Sequence, residues 1–166
     1  MDDFIIEKGI LIKYVGNARN IVIPDEVTEI GDSAFYSCLA FTSVKLHNKI
    51  TKIGDAAFSD CASLEEINIP ESVRYLGSYA FYDCTRLSNI DIPEGIERIG
   101  METFSGCTRL TKVTLPRAIS SIEQMAFAFC PLLENVYYHG TESDWENIKI
   151  AQFNDYLTVV ARHYYR

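Results

Sequence analysis

Short apolar-polar-apolar triplets recur along the chain: Ile67-Asn68-Ile69, Ile90-Asp91-Ile92 and Val113-Thr114-Leu115 each read as a short strand with one face buried. Proline closes the triplet at Pro24, Pro70, Pro93 and Pro116, because a residue without an amide donor cannot extend a hydrogen-bonded ladder. Apolar positions such as Val73 and Leu76 then lead to a glycine, at Gly31, Gly54, Gly77 and Gly100, and the pattern predicts a sharp corner there with positive φ. Asp32, Asp55 and Ser78 come next and are suited to cap one helical turn, which would place Ala80 and Cys84 on one side with Phe81 beside them.

Equivalent positions lie 23 residues apart, without insertion, from about Ile21 to Tyr138. Phe35, Phe58, Phe81, Phe104 and Phe127 form one column, and Cys38, Cys61, Cys84, Cys107 and Cys130 a second. Val27, Ile50, Val73, Ile96 and Ile119 form a third, and Phe41, Leu64, Leu87, Leu110 and Leu133 a fourth. A single repeat carries about eight apolar side chains, too few to offset the entropy of fixing its backbone, so the stack is the folding unit. The chain divides into an N-terminal cap at 1–20, five 23-residue repeats at 21–138 and a C-terminal cap at 139–166, within one domain. Two apolar runs around Glu7-Lys8-Gly9 predict a hairpin over the first rung. At the other end, Thr141 or Ser143 can cap a short helix that lays Trp145 and Ile148 on the last repeat. Val159 falls 23 residues after Val136 and predicts a final in-phase strand within 158–164.

These columns resemble the BspA-like class of leucine-rich repeats, whose pattern runs C-x-x-L-x-x-V/I-x-I-P-x-x-V-x-x-I-G-x-x-A-F. The chain departs from it at His47 and His139 in the proline slot, Glu123 in the glycine slot and Thr103 in the alanine slot, where local turn geometry is expected to change. The resemblance implies a right-handed leucine-rich-repeat solenoid, with a parallel β-sheet on one face and short strands or helical turns on the other. It also implies a bacterial cell-surface or secreted protein of adhesion type that binds other macromolecules.

A net charge of −8, without clustered Lys and Arg, argues against a nucleic-acid or anionic-membrane surface. No run approaches the ~20 apolar residues of a membrane span. Met1-Asp2-Asp3-Phe4 lacks the basic and apolar regions of a signal peptide, which predicts a cytosolic protein or one whose leader has been removed. Cysteines at the repeat interval predict a ladder of buried thiols, not disulfides or zinc ligands, since a linear array does not converge on one ion. His47 and His139 share a slot four rungs apart, ~19 Å by strand spacing, and read with His163 as structural residues and not as a catalytic group. Glu66, Glu71, Asp91 and Glu94 are weighed as an acidic patch or calcium site against the simpler solvated face. With no P-loop, EF-hand, G-x-S-x-G or H-E-x-x-H, no enzyme, metal or cofactor is expected.

Function is expected on the columns that point outward: Ser43, Glu66, Asn89, Lys112 and Asn135, and beside them Lys45, Asn68, Asp91, Thr114 and Tyr137. These vary from rung to rung while the inward columns do not. The strand face centred on Glu66, Asn68, Asn89, Asp91, Lys112 and Thr114 is the first candidate for contact with a protein or a glycan. The second is an aromatic patch of Tyr75, Tyr79 and Tyr82, with Tyr36 and Phe129 assigned to the Tyr82 column. The expected role is a non-catalytic, monomeric protein-interaction module. The alternative is a structural or self-assembling spacer whose apolar end rung stacks on another copy.

Overall fold

The computed structural model describes residues 3–164. Strands β1 (Phe4–Glu7) and β2 (Ile10–Tyr14) pair antiparallel around Lys8 and Gly9, both with left-handed φ, as the glycine between two apolar runs predicts. Then follow β3 (Asn20–Val22), β4 (Glu29–Ile30), β5 (Ser43–Lys45), β6 (Lys52–Ile53), β7 (Glu66–Asn68), β8 (Tyr75–Leu76), β9 (Asn89–Asp91) and β10 (Arg98–Ile99). After these come β11 (Lys112–Leu115), β12 (Ser121–Ile122), β13 (Asn135–Tyr138), α1 (Glu142–Glu146), β14 (Lys149–Ile150), α2 (Asp155–Val159) and β15 (Ala161–Tyr164).

They wind into a parallel solenoid of about seven turns. The apolar-polar-apolar triplets build a first sheet, β3-β5-β7 and β9-β11-β13-β15. The short pairs before each glycine build a second, β1-β2-β4-β6-β8 and β10-β12-β14. Register follows the 23-residue columns: Val44 lies opposite Ile21 and Ile67, and Val113 opposite Ile90 and Val136.

Between the sheets the apolar columns become vertical stacks. The rings of Phe35, Phe58, Phe81, Phe104 and Phe127 follow one another at 4.9, 5.4, 5.5 and 5.3 Å, with planes within 17° of parallel. Identical side chains one rung apart leave no gap, and each buried ring contributes on the order of 1.5–3 kcal/mol. The thiols of Cys61, Cys84, Cys107 and Cys130 each donate to the phenylalanine carbonyl one rung earlier, Phe35, Phe58, Phe81 and Phe104, at 3.1–3.2 Å. Burial pushes these thiols well above their ordinary pKa, Cys130 to about 12. Cys38 departs from the expected ladder: it is half-buried, because the hairpin, and not a repeat, lies before it. All five cysteines are free thiols.

The third side corrects the helical turn read from the sequence. Amides of Ser33, Phe35 and Ser37 donate to Asp55, Ala57 and Ser59 carbonyls in the next rung, while those of Ala34, Tyr36 and Cys38 close turns on Gly31, Ser33 and Phe35 in their own. A helix would direct every amide along its own axis and leave the rungs unlinked; alternating amides satisfy both demands. Alternation requires left-handed φ at Ser33 and Ser37, and the same pair recurs at Ala56 and Asp60, Tyr79 and Asp83, Glu102 and Gly106, and Met125 and Phe129.

The repeat glycines are not among the positive-φ residues either; the described glycines with positive φ are Gly9 and Gly106. Gly77 is needed for close approach, since a Cβ there would stand 2.5 Å from the Asp55 amide nitrogen. Nor do Asp32 and Asp55 cap their own turns. Their carboxylates accept from the amides of Asp55 and Ser78 one rung on, at 2.9 and 3.0 Å.

Both ends are closed by the segments read as caps. Tyr14 of the hairpin continues the aromatic stack, 5.3 Å from Phe35. At the other end, Thr141 caps α1 by accepting from Asp144 N, and the Asp144 carboxylate accepts from Thr141 N. Trp145 and Ile148 are buried as expected. The final strand forms but with a different phase: Asn135 pairs with Ala161 and Val136 with Arg162. The insertion of α1 between β13 and β14 lengthens this rung to 26 residues, so Val159 ends α2 at 79% exposure instead of facing Val136. Residues 1–2 and 165–166, with the part of the leader reading that falls on Met1 and Asp2, lie outside the described residues.

Candidate interaction surface

Four of the six residues expected on the strand face come together. Glu66, Asn68, Asn89 and Asp91 line a groove of about 420 Å³ with Ser43, Lys45, Val44 and Ile67. Strand alternation explains this: in β5, β7 and β9 the outer residues of each triplet point away from the core, and the middle residue forms the floor. Ile67 is only half-buried at that floor, whereas Val44 and Ile90 are enclosed. The walls are polar amides and carboxylates with Lys45 on one side, a surface that offers hydrogen bonds in both directions.

Lys112 and Thr114 do not line the groove. Lys112 extends to the next rung, where its ammonium lies 5.2 Å from the Tyr137 ring. Thr114, expected to be exposed, is buried at 8%: its short side chain stands in register between Asp91 and Tyr137, and its neighbours cover it. Ser43 and Lys45 join the groove although the sequence places them only among the outward columns, and those columns are the signal that points to them.

The aromatic patch divides. Tyr79 and Tyr82 approach to 6.1 Å on the turn side, and the Tyr79 hydroxyl contacts Met101 Sδ at 3.2 Å. Tyr75 belongs to the second sheet, donating to Asp55 Oδ1 at 3.2 Å beneath the Lys52 ammonium. Tyr36 stands two repeats before Tyr82, and the fifth member of that column is Ala128; Phe129 is one residue beyond, in the left-handed column of Asp83. Burial, and the neighbouring Asp60 carboxylate, push the Asp83 carboxyl up, and Asp83 in turn raises the Tyr82 phenol.

Departures from the repeat pattern are absorbed locally. His47 Nε2 meets the Pro24 carbonyl at 3.0 Å, and buried Thr103 donates to Gly100 O at 2.9 Å. Glu123 pairs with Arg98 at 2.5 Å, and His139 contacts Glu94 across two rungs. His163 Nε2 donates to Asn135 Oδ1 at 2.9 Å, and the ring stacks on Tyr137 at 4.5 Å. Among the described residues, no group of three or more His, Cys, Asp or Glu is placed to hold a metal ion, and no helix is long and apolar enough to cross a membrane.

Comparison with known proteins matches this architecture. The profile of the BspA type leucine rich repeat region matches residues 11–134 in six copies. That is one more than the five columns, and the match opens at Leu11, which stands in register with Ile30. No curated protein matches the chain. Among solved structures, a leucine rich cell surface protein from Faecalibacterium prausnitzii superposes with a TM-score of 0.81 at 34% identity, over 84% of this chain and 38% of that one. A leucine-rich repeat protein from Eubacterium ventriosum gives 0.73 at 29% identity, over 78% of this chain and 36% of that one. A leucine-rich repeat protein from T. pallidum shares the fold at 22% identity, with a TM-score of 0.64 over 86% of this chain and 77% of that one. The chain thus spans little more than a third of the first two. With its repeat columns, stacked core and matched region in agreement, the chain belongs to the BspA type leucine-rich repeat family.

Proposed function

We propose that this chain is a non-catalytic module that binds a protein partner through the first-sheet face, centred on the groove at Glu66, Asn68, Asn89 and Asp91. The observation that carries this reading is that the groove gathers outward residues from three successive rungs while every inward column is committed to packing. Membership of a repeat family whose fold serves as a binding scaffold supports it, as does a relative named as a cell surface protein. Exposed Glu66 and Asp91 favour a partner segment that brings basic or amide groups, because carboxylates at a rim steer and orient such groups.

The test compares wild type with a Glu66→Lys/Asp91→Lys variant in pull-downs from bacterial-surface and host extracts, with thermal unfolding in parallel. The expected outcome is an unchanged melting temperature and at least about tenfold weaker capture of whatever wild type retains. Capture that survives the reversal, or is lost instead with a Tyr79→Ser/Tyr82→Ser variant, moves the site elsewhere. Capture of glycan alone changes the partner class.

The spacer alternative rests on the far end of the solenoid, where β15 pairs with β13 on one side and Phe153, Tyr156 and Val159 are exposed nearby. Sedimentation velocity separates the two: concentration-dependent association favours the spacer, and a strict monomer removes it.

A further inference from the structure

Both sheets are interrupted at one level. The first breaks between β7 and β9 and the second between β8 and β10, so the third and fourth repeats lack strand pairing on two of the three sides of the solenoid. Single amides show the same break. At other levels Thr42, Glu65, Thr111 and Glu134 each donate to the preceding rung, to Arg19, Thr42, Ser88 and Thr111; Ser88, in the same column, makes no such bond. Thr51, Arg74 and Ser120 donate to Thr28, Thr51 and Glu97, and Glu97 does not donate to Arg74. Gly54, Gly77 and Glu123 donate to Ile30, Ile53 and Ile99, and Gly100 does not donate to Leu76.

Side chains account for part of this. Thr51 and Ser120 staple their rungs with a hydroxyl to Thr28 O and Glu97 O, whereas Glu97 at the break carries a carboxylate, which only accepts. Arg74 folds its guanidinium onto the Val73 carbonyl and lies over Gly95, where any Cβ would collide with Nη1. The third side remains closed: Tyr79, Phe81 and Asp83 donate to Met101, Thr103 and Ser105, Cys107 donates to Phe81 O, and the two phenylalanine rings stack at 5.5 Å. Side-chain tethers also cross: Glu94 N to Glu71 Oε2 at 3.1 Å, the half-exposed Arg86–Glu65 ion pair at 2.7 Å, and, beside the pivot, Thr103 Oγ1 to Gly77 O at 3.4 Å and the Tyr79 hydroxyl to Met101. Cavities open on both unpaired sides, the groove at Ile67 and a second of about 320 Å³ between Tyr75 and Arg98.

We propose that the solenoid carries a hinge between its third and fourth repeats, with the turn ladder at 79–83 as pivot, and that bending there widens and narrows the groove at Ile67. Unpaired strand edges facing one another resist opening less than a closed ladder does, and a pivot of intact bonds converts that compliance into rotation. The inference rests on backbone pairing and needs no partner, so it stands or falls separately from the binding role.

Two measurements on the free 166-residue chain test it. Amide exchange followed by NMR is expected to be at least about tenfold faster at Ser88, Glu97 and Gly100 than at Thr111, Ser120 and Gly77. Spin-label distances are then compared for two pairs of exposed sites, each two rungs apart, in a Cys38→Ser background that leaves only the buried thiols. A Lys45→Cys/Asp91→Cys pair crosses the break, and a Val22→Cys/Asn68→Cys pair does not. A clearly broader distribution for the crossing pair, with fast exchange at the three amides, supports the hinge. Equal protection of those amides overturns it, and so do equal widths even where the amides exchange fast.

Discussion

Ten positions from Ser33 to Phe129 hold left-handed backbone, and Gly106 alone among them is glycine. Each L-residue there costs roughly 1–2 kcal/mol, which the bonds between rungs offset. Ala56→Gly relieves that strain while adding unfolded-state entropy, so a net gain of roughly 0.5 kcal/mol is expected in urea denaturation. Gly106→Ala is expected to lose about 1–3 kcal/mol, because its Cβ collides with Asp83 Oδ1. Opposite signs are the signature; a destabilising Ala56→Gly would sink the account of the turn ladder.

The buried thiols make a second statement at single positions. An unfolded thiol ionises near 9, while in the fold Cys130 keeps its proton to about 12 and Cys107 is also raised. Their contribution is therefore complete below pH 9 and is lost as pH rises above it, by about 1.4 kcal/mol per pH unit for each thiol. Cys107→Ser retains a donor for Phe81 O and does not titrate, so its stability should fall less steeply between pH 9 and 11. Identical slopes for variant and wild type would falsify burial as the cause.

Among the elements, α2 and the segment before it end the turn ladder. Phe127 N has no following repeat to donate to, and Asn154 supplies the missing carbonyl with its side chain at 3.0 Å. Its amide nitrogen donates to Glu123 O and Ala151 O at 2.8 and 2.9 Å, and the residue is 2% exposed. Asn154→Ala strands these groups and should cost roughly 1–3 kcal/mol by chemical denaturation. Arg98→Met, which removes a half-exposed ion pair with Glu123, should cost under about 1 kcal/mol. The reverse order would mean that surface charge, and not completion of the ladder, holds the end.

The whole molecule is nearly one-dimensional, since each rung contacts its neighbours and the Phe, Cys and Leu columns repeat without drift. Excising residues 112–134 removes 23 residues in phase and brings Asp91 and Asn135 rungs together in register. That variant should melt cooperatively at a lower temperature, whereas excising 20 residues from the same place turns apolar columns outward and should abolish folding. Circular dichroism against temperature reads both. An in-phase excision that fails to fold would show that particular repeats, not their spacing, specify the stack.

Periodicity alone disclosed the stacked architecture, the hairpin and helical caps, the buried thiols apart from Cys38, and the outward columns that supply Glu66, Asn68, Asn89 and Asp91. Those features depend on which side chains recur, and a column in sequence becomes a column in space once rungs lie in register. What awaited the tertiary structure were properties set by neighbours in adjacent rungs. Left-handed Ser33 and Ser37 follow from where the next rung places its carbonyls, the repeat glycines from how close the previous backbone comes, and buried Thr114 from the sizes of Asp91 and Tyr137 beside it. The phase of β15 depended on α1, and the second-sheet break between Tyr75 and Arg98 on what Arg74 and Glu97 do between rungs. A one-residue column records what is buried; bonds between rungs depend on two residues at once, and that pairing exists only after the chain has wound.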